Sequence, residues 1–204
     1  MKRMKATKGL FPVIVIIALL PTLAWAVPIT TSLNVSNEDL GLAGDFATVV
    51  VSYVGEHTVQ FSVDANEALL GEDDNFGIQA FGFNASLDLS SAVFDLPAGW
   101  DFRYDQNLSM FGLFYIDAYG TGKTRKDPLI FTVSLPGIND ENQFFVPNAL
   151  GYHYAAHIAG FVDHNGQTSA WFSDQPAPVP EPATLMLLGT GLLGLAGFRR
   201  KTKR

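Results

Sequence analysis

Apolar and polar residues alternate with a period of two along most of the middle of the chain. Val59, Phe61 and Val63 interleave with Thr58, Gln60 and Ser62, the pattern of a strand with one face in a core and the other in water. The β-branched run 48–53 precedes it across a short connection holding Gly55, Glu56 and His57, so the pair predicts a hairpin. Further strands are predicted over 78–85, 87–94, 110–119, 128–135, 143–146, 152–162 and 168–172, and alternation over 100–105 puts Trp100, Phe102 and Tyr104 on one face. Residues 27–40 read as polar and turn-rich, 65–70 as one short helical turn, and 71–77 as an acidic loop. About nine or ten short strands broken by Gly, Pro, Asn and Asp, with no long 3.6-residue period, predict an all-β domain. The expected form is an antiparallel, jelly-roll-like β-sandwich, with a barrel as the alternative. No internal repeat is visible, which disfavours solenoids and propellers.

The two ends follow different patterns. Lys2, Arg3, Lys5 and Lys8 precede an apolar stretch over 10–23 that ends in Ala24, Trp25 and Ala26. That order predicts a secretory signal peptide, residues 1–26, cut after Ala26 by signal peptidase of the general export machinery. At the other end the uncharged, mostly apolar run 183–198 is followed by the basic segment 199–204, which includes Arg199, Arg200 and Lys201. As a helix the run would reach roughly 24 Å, slightly short of the hydrocarbon core of a bilayer, so it spans with local thinning or with flanking residues recruited. Cations flanking a span stay on the cytoplasmic side, which places the β domain, residues 27–174, outside the membrane. Residues 175–182 form a proline-rich linker between the two.

The linker ends in Pro180, Glu181 and Pro182. This triplet, the glycine-rich apolar run and the Arg-Arg-Lys stop closely resemble the PEP-CTERM sorting tail of Gram-negative bacteria. The resemblance implies recognition by an integral-membrane exosortase that cuts near the triplet. It also implies an inner-membrane-anchored precursor that passes to the cell surface or to an extracellular exopolysaccharide or biofilm matrix. The segment Lys123–Val133 followed by Tyr154–Ala159 also resembles the domain that many short proteins carry ahead of such tails, which implies a secreted β domain and no catalytic residue. The tail is similar, too, to segments labelled ice-binding protein C-terminal domain, but the chain has no Thr-x-Thr ladder, so the label implies no activity here.

Setting the ends aside changes the charge. Residues 27–174 keep four cations, Arg103, Lys123, Arg125 and Lys126, against nineteen carboxylates, a net charge of −15 where the whole chain carries −7. A domain this acidic repels nucleic acid and anionic lipid. The chain has no cysteine, so no disulfide holds the exported domain together.

Several constellations are candidates for chemistry. His153, His157, Gly160 and Asp163 fall at the spacing of metzincin zinc ligands, but Tyr154 stands where the general-base glutamate belongs, and the segment reads better as a strand. Glu72, Asp73, Asp74 and Asn75, and likewise Asp163 and Asn165, offer hard oxygens to Ca²⁺ without matching a twelve-residue calcium loop. Trp100, Phe102 and Tyr104, and Trp171 with Phe172, are candidates for stacking on sugars, with core packing the stronger reading. No catalytic residue and no metal ligand is assigned, and no cofactor beyond the weighed Ca²⁺. The expected function is non-enzymatic: an exported, exosortase-sorted surface or matrix protein. The alternatives are a carbohydrate-binding or calcium-assisted adhesion module and a secreted hydrolase.

Overall fold

The computed structural model describes residues 27–176. The predicted hairpin forms as drawn from the alternation: β3 (Ala47–Gly55) and β4 (Thr58–Ala65) pair antiparallel, Val51 opposite Phe61 and Val49 opposite Val63. Glu56 and His57 both sit at positive φ, 49° and 60°, the backbone of a two-residue turn whose twist matches that of the flanking strands. Around this hairpin lie β1 (Ile29–Leu33), β9 (Leu129–Ser134) and β6 (Val93–Asp95), making a five-stranded antiparallel sheet in the order β1-β3-β4-β9-β6. The second sheet contains β2 (Val35–Ser36), β5 (Glu72–Phe83), β7 (Asp101–Asn107), β8 (Leu113–Tyr119), β10 (Tyr154–His164) and β11 (Gln167–Ser173). Its order is β2-β11-β10-β5-β8-β7, with every pairing antiparallel. The chain is therefore mostly β, two antiparallel sheets packed face to face.

The core between the sheets is built largely from phenylalanine. Phe61 on β4 stacks on its cross-strand neighbour Phe131 at 4.8 Å and 5° between planes. From the opposite sheet it meets Phe83 at 4.6 Å and Phe81 at 5.9 Å, and Phe144 closes the end of the group at 5.6 Å. All five rings are buried. A smaller apolar layer covers the outer face of the six-stranded sheet: Leu108, Phe111, Phe114 and Ala155, flanked by Val35, Tyr152 and Trp171. Gly82 lies beneath it, and a Cβ there would come within 2.1 Å of Leu108 Cδ1. A side chain there would force Leu108 to shift.

The structure departs from the expected elements in four places, gaining strand in two and losing it in two. Residues 27–40 were expected to be turns, yet Ile29–Leu33 adds to the edge of β3, with Leu33 fully buried. The acidic stretch expected as a loop is the exposed first half of β5, held by β10. Of the strand expected over 87–94 only β6 survives. Asp88 accepts the Ser90 N–H at 2.9 Å to turn the chain, while the Tyr104 hydroxyl donates to the Leu89 carbonyl and the Tyr115 hydroxyl accepts the Leu89 N–H, each at 3.1 Å. The strand expected over 143–146 begins instead as a 3-10 turn, Glu141–Phe144, under a capping box in which Asp140 accepts the Asn142 N–H at 2.7 Å. The helical turn expected over 65–70 is α1 (Glu67–Leu70).

No helix among the described residues is long and apolar enough to cross a membrane. The predicted signal peptide, the membrane run 183–198 and the basic tail lie outside the described residues.

Because Phe61 touches rings of both sheets, its truncation opens a cavity at the centre of the sandwich. Phe61→Ala is expected to lower unfolding free energy by about 3–5 kcal/mol and Phe61→Leu by clearly less. Urea denaturation of the two variants beside the parent measures both.

Candidate functional site

The sorting residues Pro180, Glu181 and Pro182, the stop residues Arg199, Arg200 and Lys201, and the cleavage-site residues Ala24 and Ala26 all lie outside the described residues. What the structure supplies is the domain's exit toward them. β11 ends at Ser173, and Asp174 follows it, buried. Its Oδ1 accepts the backbone N–H of His153 at 2.9 Å and of Tyr154 at 3.1 Å, and its Oδ2 meets His153 Nδ1 at 2.6 Å. The Ser173 hydroxyl donates to the Tyr154 carbonyl at 2.5 Å. Phe145 lies flat on the His153 ring at 3.8 Å. The last residue of the fold is thus tied to the start of β10, and Gln175 and Pro176 then emerge into solvent.

This arrangement also settles the histidine segment. His153 and His157 sit on an extended chain, where a separation of four residues is about 13 Å, rather than on one face of a helix. His153 belongs to the clamp, while His157 stacks on Trp171 at 5.1 Å. Burial, and next the charge of Arg125, push the His157 pKa down. Gly160 occupies a bulge at φ +77°, where a Cβ would meet the Asn75 carbonyl oxygen at 2.7 Å. Asp163 caps the following turn by accepting the Gly166 N–H at 2.9 Å. The four residues at metzincin spacing do not converge.

Nor do the acidic candidates for Ca²⁺. Glu72, Asp73 and Asp74 are spread along the exposed part of β5, Asn75 donates to the Gly122 carbonyl, and Asn165 donates to the Asp39 carbonyl at 3.2 Å. The carboxylates that do converge are Asp64, Glu67 and Asp127, with one oxygen of each within 4.8 Å of the others. Asp127 Oδ1 accepts the Ala65 N–H at 2.9 Å, and Oδ2 is enclosed without a protein hydrogen-bond partner. Burial, followed by the nearby charges of Glu67 and Asp64 and opposed by the Ala65 N–H, raises the Asp127 pKa to about 7. Sequence spacing does not reveal this cluster, because Asp127 comes from the loop before β9 and its partners from the end of β4 and from α1.

The aromatic candidates divide. Trp100 is buried and donates from Nε1 to the Thr124 carbonyl at 2.6 Å, Phe102 stacks on Phe94 at 4.0 Å, and Tyr104 anchors Leu89. These three belong to the core, as does Phe172. Trp171 faces the other way and stays partly open to solvent on the outer face of the six-stranded sheet.

Asp174→Ala leaves two buried N–H groups without acceptors, and a loss of about 3–5 kcal/mol in unfolding free energy is expected by denaturant titration. At Asp127 the folded pKa lies above the ordinary carboxylate value of about 3.9, so the folded protein holds an extra proton. Its contribution to stability is full below about pH 4 and is lost as pH rises through 7. Asp127→Asn is therefore expected to raise the melting temperature at pH 8, with a difference from the parent that shrinks toward pH 4.

No curated protein and no solved structure matches the chain. Residues 178–201 match the model of the PEP-CTERM protein-sorting motif and begin two residues beyond the last described position. The chain thus carries a C-terminal PEP-CTERM sorting motif, the mark of an exported protein sorted by an exosortase.

Proposed function

We propose that the chain is a non-enzymatic surface or matrix protein. In this reading the β-sandwich is the delivered product and the tail a disposable address, cut by the exosortase after export so that the domain passes to the cell surface or exopolysaccharide matrix. The observation that carries it is the placement of the sorting motif directly after a folded domain whose exit is clamped by Asp174. The candidate catalytic side chains support it as well. His153 and Asp174 hold the chain exit, His157 is packed on Trp171, and Asp163 caps a turn. A strongly acidic domain favours solubility outside the cell.

Sorting is tested by expressing the chain in a host with and without its exosortase, and as a Glu181→Ala variant. The expected result is a shortened chain outside the cell only when both enzyme and motif are intact, and a full-length membrane-bound form otherwise. Identical mass and location in all three would overturn the reading.

A further inference from the structure

The outer face of the six-stranded sheet carries a row of residues beside its apolar layer, several of them partly exposed. Trp171, His157, Ala80, Tyr119 and Asp101 stand in register across β11, β10, β5, β8 and β7. With strands spaced about 4.8 Å apart, Trp171 and Tyr119 are about 14 Å from one another along the row. Ala80, a methyl group only, lies between two stacked pairs. On one side the His157 ring packs on Trp171; on the other the Arg103 guanidinium lies 4.7 Å over the Tyr119 ring. Ala80 is buried and forms the low point of a shallow trough between the two pairs, while the three ring side chains of the row stay partly open to solvent.

Each wall is fixed from below. Asp117 is fully buried and holds Arg103 Nε and Nη2, both at 2.8 Å, which orients the guanidinium and neutralises it. Arg125 is held differently: its Nε donates to Gln79 Oε1 at 3.1 Å and its Nη1 to the Asn75 carbonyl at 2.9 Å. Both acceptors are neutral, and among the described residues the ion pairs are Arg103–Asp117 and His153–Asp174. One of the four cations of residues 27–174 is therefore fixed on Gln79, the residue before Ala80, with no carboxylate paired to it among the described residues, in a domain with nineteen acids.

We propose that this trough binds an acidic glycan, with sugar rings laid along the Trp171–His157–Ala80–Tyr119 row and a ring carboxylate on Arg125. Planar, partly solvated side chains present flat apolar faces to the C–H face of a pyranose. With Nε and Nη1 engaged by Gln79 and Asn75, Arg125 keeps Nη2 to donate a charge-assisted hydrogen bond to a carboxylate. The domain's net charge selects against dense polyanions, so the fitting ligand has sparse carboxylates on a mostly neutral chain. An open trough, rather than an enclosed cavity, admits the middle of a polymer as readily as its end. The inference takes from the proposed function only the place where such a glycan would be met.

The test uses the full-length protein in detergent and three probes: a hexasaccharide alternating glucose with glucuronic acid, neutral cellohexaose, and inorganic polyphosphate. Calorimetry and tryptophan fluorescence are expected to show binding of the acidic hexasaccharide, at least tenfold weaker binding of cellohexaose, and none of polyphosphate. Arg125→Gln, checked by an unchanged melting temperature, is expected to weaken the acidic hexasaccharide at least tenfold and leave cellohexaose unaffected. Ala80→Gln, which fills the trough while Arg125 remains, is expected to weaken both sugars. The proposal is overturned if the acidic hexasaccharide does not bind, if both variants bind it like the parent, or if polyphosphate binds as well. A protein that binds the glycan but is not sorted by an exosortase would sink the sorting reading alone, and a sorted protein that binds no glycan would sink the trough alone.

Discussion

The packing of phenylalanine rings between the two sheets is the constraint on which the rest of the molecule depends. With no cysteine in the chain, nothing covalent joins the sheets, and the hydrophobic gain of burying large side chains must hold them. Phe61 is the pivot, since its ring touches Phe131 in its own sheet, Phe81 and Phe83 in the opposite one, and Phe144 at the end of the sandwich. Register in both sheets is tied to that contact. A one-residue slip of β4 would turn Phe61 outward and bring Gln60 and Ser62 into the core. The hairpin turn at Glu56 and His57 and the alternation along β4 enforce the same register independently, and such agreement between levels favours one structure.

Polar residues then fix what the rings leave undetermined. Asp140, Asp88 and Asp174 each accept backbone N–H groups where a strand has to stop or a turn has to start. Most of the domain's acids remain at the surface, where they cost little and keep the exported product soluble. The exception is the Asp64, Glu67 and Asp127 group, where repulsion and burial hold a proton on the fold. That group opposes stability at neutral pH, which marks it off from the clamps.

Alternation made the centre of the fold legible in the sequence, because a period of two is a direct consequence of one-sided burial. It fails wherever a side chain competes with the ladder for the backbone. Residues 87–92 carry an apolar, strand-like composition, yet Asp88, Tyr104 and Tyr115 capture the backbone of Ser90 and Leu89. Residues 29–33 look too polar for a strand, but an edge strand needs only one apolar face, and Ile29 and Leu33 supply it. The sorting tail was readable because its order of triplet, apolar run and cations is local. The clamp, the carboxylate cluster and the trough are assembled from residues far apart in the chain: Asp174 with His153, Asp127 with Asp64, Trp171 with Ala80 and Tyr119. No spacing rule announces a contact that only the strand order creates.

That strand order also bears on what remains once the tail is gone. β11 is the last element of the fold and carries Trp171, three residues before Asp174 and seven before the sorting motif begins at residue 178. If β11 depended on the linker for its place, cutting near Pro180 would loosen the strand and with it one wall of the trough. Its supports lie elsewhere. The ladder to β10, the short pairing of β2 with Phe172 and Ser173, the Asn37 side chain on the Trp171 N–H at 2.7 Å, and the Asp174 clamp are all formed by residues up to 174. Among the described residues, the hydrogen bonds that hold β11 are complete by residue 174. The last strand of the sandwich is closed by the carboxylate that immediately follows it, Asp174.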